Sequence, residues 1–290
     1  MSSTFKSYLQ LTRPANLVTA IADILAGMAI AQYQFLNLSF VFLFLSTVCL
    51  YAGGVVLNDY FDLEIDRVER RERPIPSGKV PKNYALVLGL LLLLAGISFA
   101  FVFSILSGLI ASILTIFILF YDCYAKHSSL LGPLVMGMCR GANLLLGISS
   151  VTLMVGEYFW MAYLPIIYIG AITIISRDEV YGGTRGAILL ALVMYLAVWG
   201  SQIVMGVLLQ KDILFVLFVS LHILYALLPL LRAYWNATGR LIQLAVKAGV
   251  ISIILLNAST AAIFGNFYLA ILIVLLLPIS ILFARFFSVT

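Results

Sequence analysis

Stretches of ~17 to 23 residues with almost no polar side chain recur along this chain, separated by short polar connections. They fall at about 15–34, 38–58, 84–103, 105–121, 130–152, 158–176, 187–209, 212–231, 245–264 and 267–286. Each is long enough to cross a hydrocarbon layer ~30 Å thick as an α-helix, the form that satisfies every backbone N–H and C=O within the segment. The pattern predicts an all-α, polytopic transmembrane helical bundle of nine to ten spans. The first run follows a polar segment, carries no cleavage site and is long enough to span, so it reads as a membrane helix and not as a leader.

Composition agrees and excludes a soluble domain: 63% of residues are hydrophobic, 10% are charged and the mean hydropathy is +1.14. Charge then orients the bundle. With a cytoplasmic amino terminus and ten spans, every Lys and Arg except Arg140 and Lys211 falls on the cytoplasmic side, as the positive-inside rule requires. This predicts an integral protein of the cytoplasmic membrane with its amino terminus and charged loops cytoplasmic. The net charge of +5 is thereby a topological bias, and no nucleic-acid partner is implied.

Chemistry concentrates where the second run ends, in Asn58-Asp59-Tyr60-Phe61-Asp62-Leu63-Glu64-Ile65-Asp66. On a continuous helix Asn58, Asp59, Asp62 and Asp66 fall within an arc of roughly 100°, so four oxygen ligands face one side. Carboxylates this close repel unless a cation neutralises them, and all-oxygen ligation suits Mg²⁺ better than zinc. The basic residues that follow, Arg67, Arg70, Arg71, Arg73, Lys79 and Lys82, are what an anionic phosphate substrate requires beside such a metal. A charged loop between membrane helices is ordinarily just solvated. Solvation, however, does not require the i, i+4, i+8 spacing of Asn58, Asp62 and Asp66, nor the rigid Arg73-Pro74-Ile75-Pro76-Ser77-Gly78 that comes next.

The remainder is quieter. Cys49, Cys123 and Cys139 lack metal-like spacing and read as small buried hydrophobes, and His127 and His222 belong to no nucleophile arrangement. Residues 1–290 read as one domain, with no linker or low-complexity tract. A second acidic cluster, Ser176-Arg177-Asp178-Glu179-Val180-Tyr181-Gly182-Gly183, ends the sixth run on the same membrane face as the first, so the two converge on one cavity. Asp23 and Arg140 lie within apolar runs, where a charge must face the bundle interior and find a partner. They pair with each other, or Arg140 meets Asp122; helix order in the sequence does not decide.

The first cluster together with Arg73-Pro74-Ile75-Pro76-Ser77-Gly78 resembles the first signature of the UbiA superfamily of intramembrane prenyltransferases. Arg13-Pro14-x-Asn16, Tyr121-Asp122-x-Tyr124-x-Lys126 and Gly141-x-Asn143 follow the family's order and spacing, so the similarity covers at least residues 12–186. The resemblance implies a helical bundle around a central cavity that opens sideways to lipid. There a prenyl group passes from an allylic prenyl diphosphate to a small-molecule acceptor, often aromatic, with Mg²⁺ as cofactor. It implies metal ligation by Asn58, Asp59, Asp62, Asp66, Asp178 and Glu179, and diphosphate contacts from Arg67, Arg73, Lys126 and Arg177. Asp62, Lys126, Tyr121 and Tyr124 become the expected catalytic residues, the tyrosines as π faces beside an allylic cation.

The second signature departs from the family, which presents aspartates four residues apart; here Asp178 is followed at that spacing by Gly182 and Glu179 by Gly183. This form is most similar to that of a divergent branch of the family. Adjacent acids point about 100° apart, so both reach one metal only if the helix ends there, as two glycines permit. Either one acid suffices for the second metal, or Arg177 meets phosphate directly, or diphosphate binding is altered or lost. The last outcome leaves a second class of function open: a non-catalytic protein of this fold that binds or transports a lipid or small aromatic metabolite.

Overall fold

The structure, a computed structural model, describes residues 3–36, 38–177, 184–209 and 213–286. It is all-helical among the described residues. In chain order the helices are α1 (Ser3–Leu11), α2 (Pro14–Ile30), α3 (Phe40–Phe61), α4 (Leu63–Glu69), α5 (Lys82–Phe103), α6 (Ile105–Cys123) and α7 (Leu131–Ile148). They continue with α8 (Thr152–Tyr158), α9 (Tyr163–Ser176), α10 (Arg185–Leu208), α11 (Leu214–Trp235), α12 (Gly239–Ile263), α13 (Phe267–Val274) and α14 (Leu276–Phe286). Nine helical segments of 18 or more residues are apolar enough to cross a membrane, counting α8–α9 and α13–α14 each as one broken span. The tenth, α2, is a residue short of that length at 17 residues. Pro14 starts it and Gln32, at a φ of 53°, turns the chain just past its end. The protein is an integral membrane protein.

The spans differ from the sequence pattern chiefly at their ends. Apolar periodicity cannot see that the sixth run begins at Thr152 and kinks through a 3₁₀ turn at Phe159–Ala162, or that α12 starts at Gly239 in polar sequence. Between α5 and α6 the chain reverses at Ser104, which is extended (φ −161°) and accepts a hydrogen bond from the Ser107 N–H, capping α6.

Small residues set which helices touch. A Cβ on Gly27 would lie 2.5 Å from the Leu144 carbonyl oxygen, and one on Gly147 would lie 2.6 Å from that of Ile24. The backbones of α2 and α7 therefore meet directly, the means by which membrane helices associate without a hydrophobic driving force. On α3, Gly53 faces Gly89 of α5, and Gly96 of α5 receives Leu50. Helix α12, 72% buried over its apolar window, packs on α2, α9 and α11 and closes the second half of the bundle. These contacts leave a space, open at one end, bordered by α2, α3, α6, α7, α9 and α12.

Candidate active site

That space is a cavity of about 490 Å³. Its mouth is polar and lies where α3 ends, α2 begins and α6 and α9 finish. Asn58, Asp62, Asp66, Asp122, Lys126 and Arg177 all line it. Below the mouth the wall is apolar, from Leu50, Val55, Leu114 and Ile118 on one side to Ile169, Ile172, Val246 and Val250 on the other.

Helix α3 does not run on through the acidic cluster. It ends at Phe61, Asp62 sits at the junction (φ −84°, ψ 3°), and α4 restarts at Leu63, with the Asp62 and Asp66 N–H groups still reaching back to the carbonyls of Asn58 and Asp62. Asn58, Asp62 and Asp66 consequently face the cavity while Asp59 turns away from it. The Asp59 carboxylate accepts from Arg13 at 2.7 Å and from Arg73 at 3.1 Å, and is buried. Arg13 makes this contact from a left-handed backbone (φ 46°), which a non-glycine residue adopts only when its surroundings hold it.

Arg73 is likewise behind the cavity wall. Its guanidinium is buried between Asp59 and Asp66, 2.7 Å from the latter. The prolines and Gly78, at a φ of 74°, fold the loop back so that the Ser77 N–H meets the Arg73 carbonyl and the Val80 N–H that of Pro74. Burial raises the Asp66 carboxyl above its ordinary range, against the opposing pull of Arg73. Burial, with Arg13 nearby, lowers Arg73.

Across the mouth, Lys126 Nζ lies 2.6 Å from Asp62 Oδ1. Lys126 arrives on a 3₁₀ turn, Ala125–His127, and Arg177, at the end of α9, straddles that turn by donating to the carbonyls of Lys126 (3.0 Å) and Ser128. Tyr121 lines the cavity from the last turn of α6, whereas Tyr124 is 72% exposed and is not part of the lining. Arg67 is exposed and paired with Glu64 at 2.9 Å, away from the cavity. Asp178 and Glu179 lie outside the described residues.

Asp122, Arg70, Glu69 and His127 also line the mouth. Asp122 is the informative addition. Its Oδ1 accepts from Asn58 Nδ2 at 3.0 Å, and its Oδ2 is buried with no hydrogen-bond partner. The signal was present in the sequence as an acid at the end of an apolar run beside Tyr121.

A divalent cation fits this donor set in one sense only. Among the described residues no three carboxylate, His or Cys side chains converge as a preformed cage. Yet the donors are all oxygen, and the orphaned Asp122 oxygen calls for a cation. This suits Mg²⁺, which takes one or two carboxylates and completes its shell with water and substrate phosphate.

Comparison with known proteins places this geometry. The sequence model of the UbiA prenyltransferase family matches residues 20–245. The digeranylgeranylglyceryl phosphate synthase of Ignicoccus hospitalis is 31% identical over 182 residues, which is 62% of this chain and 59% of that protein. The chain thus spans less than two thirds of that relative's length. Among solved structures, the apo form of a UbiA homolog from Aeropyrum pernix K1 superposes with a TM-score of 0.70 at 18% identity, covering 84% of this chain and 96% of that one. A UbiA homolog from Archaeoglobus fulgidus bound to GPP and Mg²⁺ superposes with a TM-score of 0.63 at 14% identity, covering 89% and 99%. At such identities the likeness speaks to the fold.

Proposed function

Because this chain belongs to the UbiA prenyltransferase family, we propose that it transfers a prenyl group from an allylic prenyl diphosphate to a small-molecule acceptor within the membrane, with Mg²⁺ as cofactor. The observation that carries this reading is the cavity itself. One continuous space joins a mouth of carboxylates and cations to an apolar interior, matching a molecule that is a diphosphate at one end and hydrocarbon along the rest.

In this reading Asn58, Asp62, Asp66 and Asp122 would hold Mg²⁺ together with the diphosphate, and the sequence offers Asp178 and Glu179 as further ligands. When bound, the metal offsets the charge that develops on the departing diphosphate. Lys126 and Arg177 add donors from across the mouth, and Arg70 adds one from the end of α4. Arg13 and Arg73 act indirectly, through Asp59 and Asp66, by fixing where α4 presents its carboxylate. Tyr121 borders the space where the allylic cation forms. The C1–O bond breaks with its electron pair leaving on the diphosphate, the acceptor bonds to C1, and the acceptor's proton passes to the diphosphate. We place the mouth on the cytoplasmic face, supported by the concentration of basic residues there, and read residues 1–290 as one membrane domain.

A second reading, binding or movement of a lipid or small metabolite without turnover, is favoured by the occupation of Asp59 and Asp66 by Arg13 and Arg73. One experiment separates them: binding of farnesyl diphosphate with and without Mg²⁺ by the wild type, Asp62→Ala and Asp178→Ala. Metal-dependent binding lost in both variants supports prenyl transfer. Metal-independent binding in the wild type, unchanged in both variants, supports the second reading.

A further inference from the structure

The cavity is polar at both ends. Its floor is formed by Thr47, Tyr51, Arg140 and Asn143; along α3, Tyr51 lies two turns and about 10 Å below Asn58, and Thr47 a third turn, about 16 Å below it. A prenyl chain accounts for the apolar wall between mouth and floor, but hydrocarbon offers nothing to a guanidinium or a hydroxyl.

The floor is fully neutralised. Arg140 Nη1 donates to Asp23 Oδ2 at 2.7 Å, Nη2 donates to Thr19 Oγ1, and the Tyr51 ring covers the guanidinium face at 4.9 Å. Asp23 accepts further bonds from Asn143 Nδ2 at 2.9 Å and from Asn257 Nδ2 at 2.7 Å, so its carboxylate is held by three donors. Asn143 Oδ1 in turn accepts from Thr47 Oγ1 at 2.7 Å. Arg140 has N–H groups beyond the two used here, and Thr47 keeps a lone pair. Both residues line the cavity, and their chemistry gives one a donor and the other an acceptor to offer.

We propose that this floor seats the prenyl acceptor and selects an uncharged, hydroxyl-bearing molecule over one carrying a carboxylate or phosphate. The inference rests on the prenyl-transfer reading and deepens it. A hydroxyl both donates and accepts, as Arg140 and Thr47 together require. An anion would find a single cation already committed to Asp23 and would add a second negative charge beside that carboxylate in a low-dielectric space, where repulsion is large. At the level of Tyr51, about 10 Å below Asn58, a substituted six-membered ring reaches toward a carbon held just beneath the diphosphate at the mouth. Transfer then forms the bond from the acceptor to prenyl C1 as the C1–O bond breaks, with electron pair and proton both leaving on the diphosphate.

The test uses the full-length protein in nanodiscs and a matched pair of probes, 4-hydroxybenzyl alcohol and 4-hydroxybenzoate, with binding measured calorimetrically and farnesyl diphosphate binding measured in parallel. The alcohol is expected to bind the wild type about 10-fold more tightly than the carboxylate, the equivalent of one well-placed polar interaction. Asp23→Asn, which unbalances Arg140, is expected to shift that ratio toward the carboxylate by at least a similar factor. Thr47→Val, close in shape and lacking the hydroxyl, is expected to weaken the alcohol alone, and it decides the matter if Asp23→Asn fails to fold. Equal or tighter binding of the carboxylate by the wild type, no binding of either probe, a ratio unmoved by Asp23→Asn, or a Thr47→Val effect that is absent or equal for both probes overturns the proposal. Alcohol binding without farnesyl diphosphate binding would instead remove the prenyl-transfer reading and leave the selective polar seat standing.

Discussion

Lys126 Nζ lies 2.6 Å from Asp62 Oδ1, closing an ion pair across the mouth through which any diphosphate must enter. The pair links α3 to the turn after α6, and both partners line the cavity. Binding a metal-chelated diphosphate requires exchange of partners, with Asp62 passing to the cation and Lys126 to a phosphate oxygen. Lys126→Met is therefore expected to weaken farnesyl diphosphate binding by about 10- to 100-fold, the range for losing one charge-assisted contact, while leaving what binding remains dependent on Mg²⁺. Asp62→Asn is expected to abolish the metal dependence itself. Titrations at several Mg²⁺ concentrations read both effects. Loss of metal dependence in Lys126→Met would show that the lysine and the metal do not divide the work this way.

Arg73 bridges two buried carboxylates, and its removal strands Asp66 while Asp59 keeps Arg13. Arg73→Ala is expected to destabilise the protein by about 3–5 kcal/mol, the usual consequence of removing one partner of a buried ion pair. Thermal unfolding in detergent measures it. Both contacts come from the one nitrogen Nη1, so Arg73→Lys, which keeps a single charged nitrogen on a similar stem, should recover much of the loss. The deficit also depends on pH. Asp66 already sits above its ordinary range through burial, and Arg73 opposes that rise. Without the arginine the carboxyl rises further, so the variant's penalty should shrink on acidification as Asp66 takes up a proton, and grow as pH rises through the raised value. A penalty independent of pH would indicate that packing of the Arg73 stem, and not charge, supplies the stability.

The spans were legible because hydrocarbon permits only one pattern, and the orientation of Asn58, Asp62 and Asp66 because helical hydrogen bonding continues through Asp62 despite the break there. Asp59 was hidden because a helical projection sets it at the edge of the acidic arc and cannot show that Arg13 and Arg73, from neighbouring segments, take its carboxylate. Asp23 and Arg140 were recognisable as charges needing partners. Their pairing at 2.7 Å depends on the Gly27–Gly147 approach, which is a property of two helices in space and not of either alone. Thr47, Tyr51, Gly54 and Asn58 recur at helical spacing and all line the cavity, so this stripe was readable but was masked by the apolar residues around it.

At the far end of the bundle a directed chain of hydroxyls joins α6 to α7. Ser149 Oγ donates to the Leu146 carbonyl at 2.7 Å, which leaves it to accept from Ser107 Oγ at 2.7 Å, and Ser107 in turn accepts from Ser104 Oγ at 2.7 Å. Each bond orients the next. Ser107→Ala removes two of them and leaves the Ser149 oxygen without its donor, a loss expected to be about 1–2 kcal/mol. Ser112→Ala, whose hydroxyl bonds only back to the Gly108 carbonyl in its own helix, should change stability little. Equal effects of the two in thermal unfolding would mean that the chain adds nothing to the contact between α6 and α7.

The approach of α2 to α7 places Asp23 beside Arg140, and it rests on two hydrogens. At Gly27 a Cβ meets backbone on three sides, with Leu144 O at 2.5 Å, Gly147 C at 2.6 Å and Ile148 N at 2.6 Å, and no flexible side chain is available to yield. Gly27→Ala must therefore push the helices apart. The expected loss is about 1–3 kcal/mol, the range for overpacking a tight contact, and the Asp23–Arg140 pair is stretched with it. Gly156→Ala serves as the comparison, because a Cβ there meets nothing within 4 Å, and alanine in helix α8 should be neutral or stabilising by up to about 1 kcal/mol. If the floor's hydrogen bonds depend on this crossing, Gly27→Ala also weakens binding of a neutral ring ligand, whereas farnesyl diphosphate, held at the mouth by Asn58, Asp62 and Lys126, is affected less. A variant with lowered stability but unchanged ligand preference would show that the polar floor tolerates helix displacement, and that its selectivity is set by Asp23 and Arg140 alone.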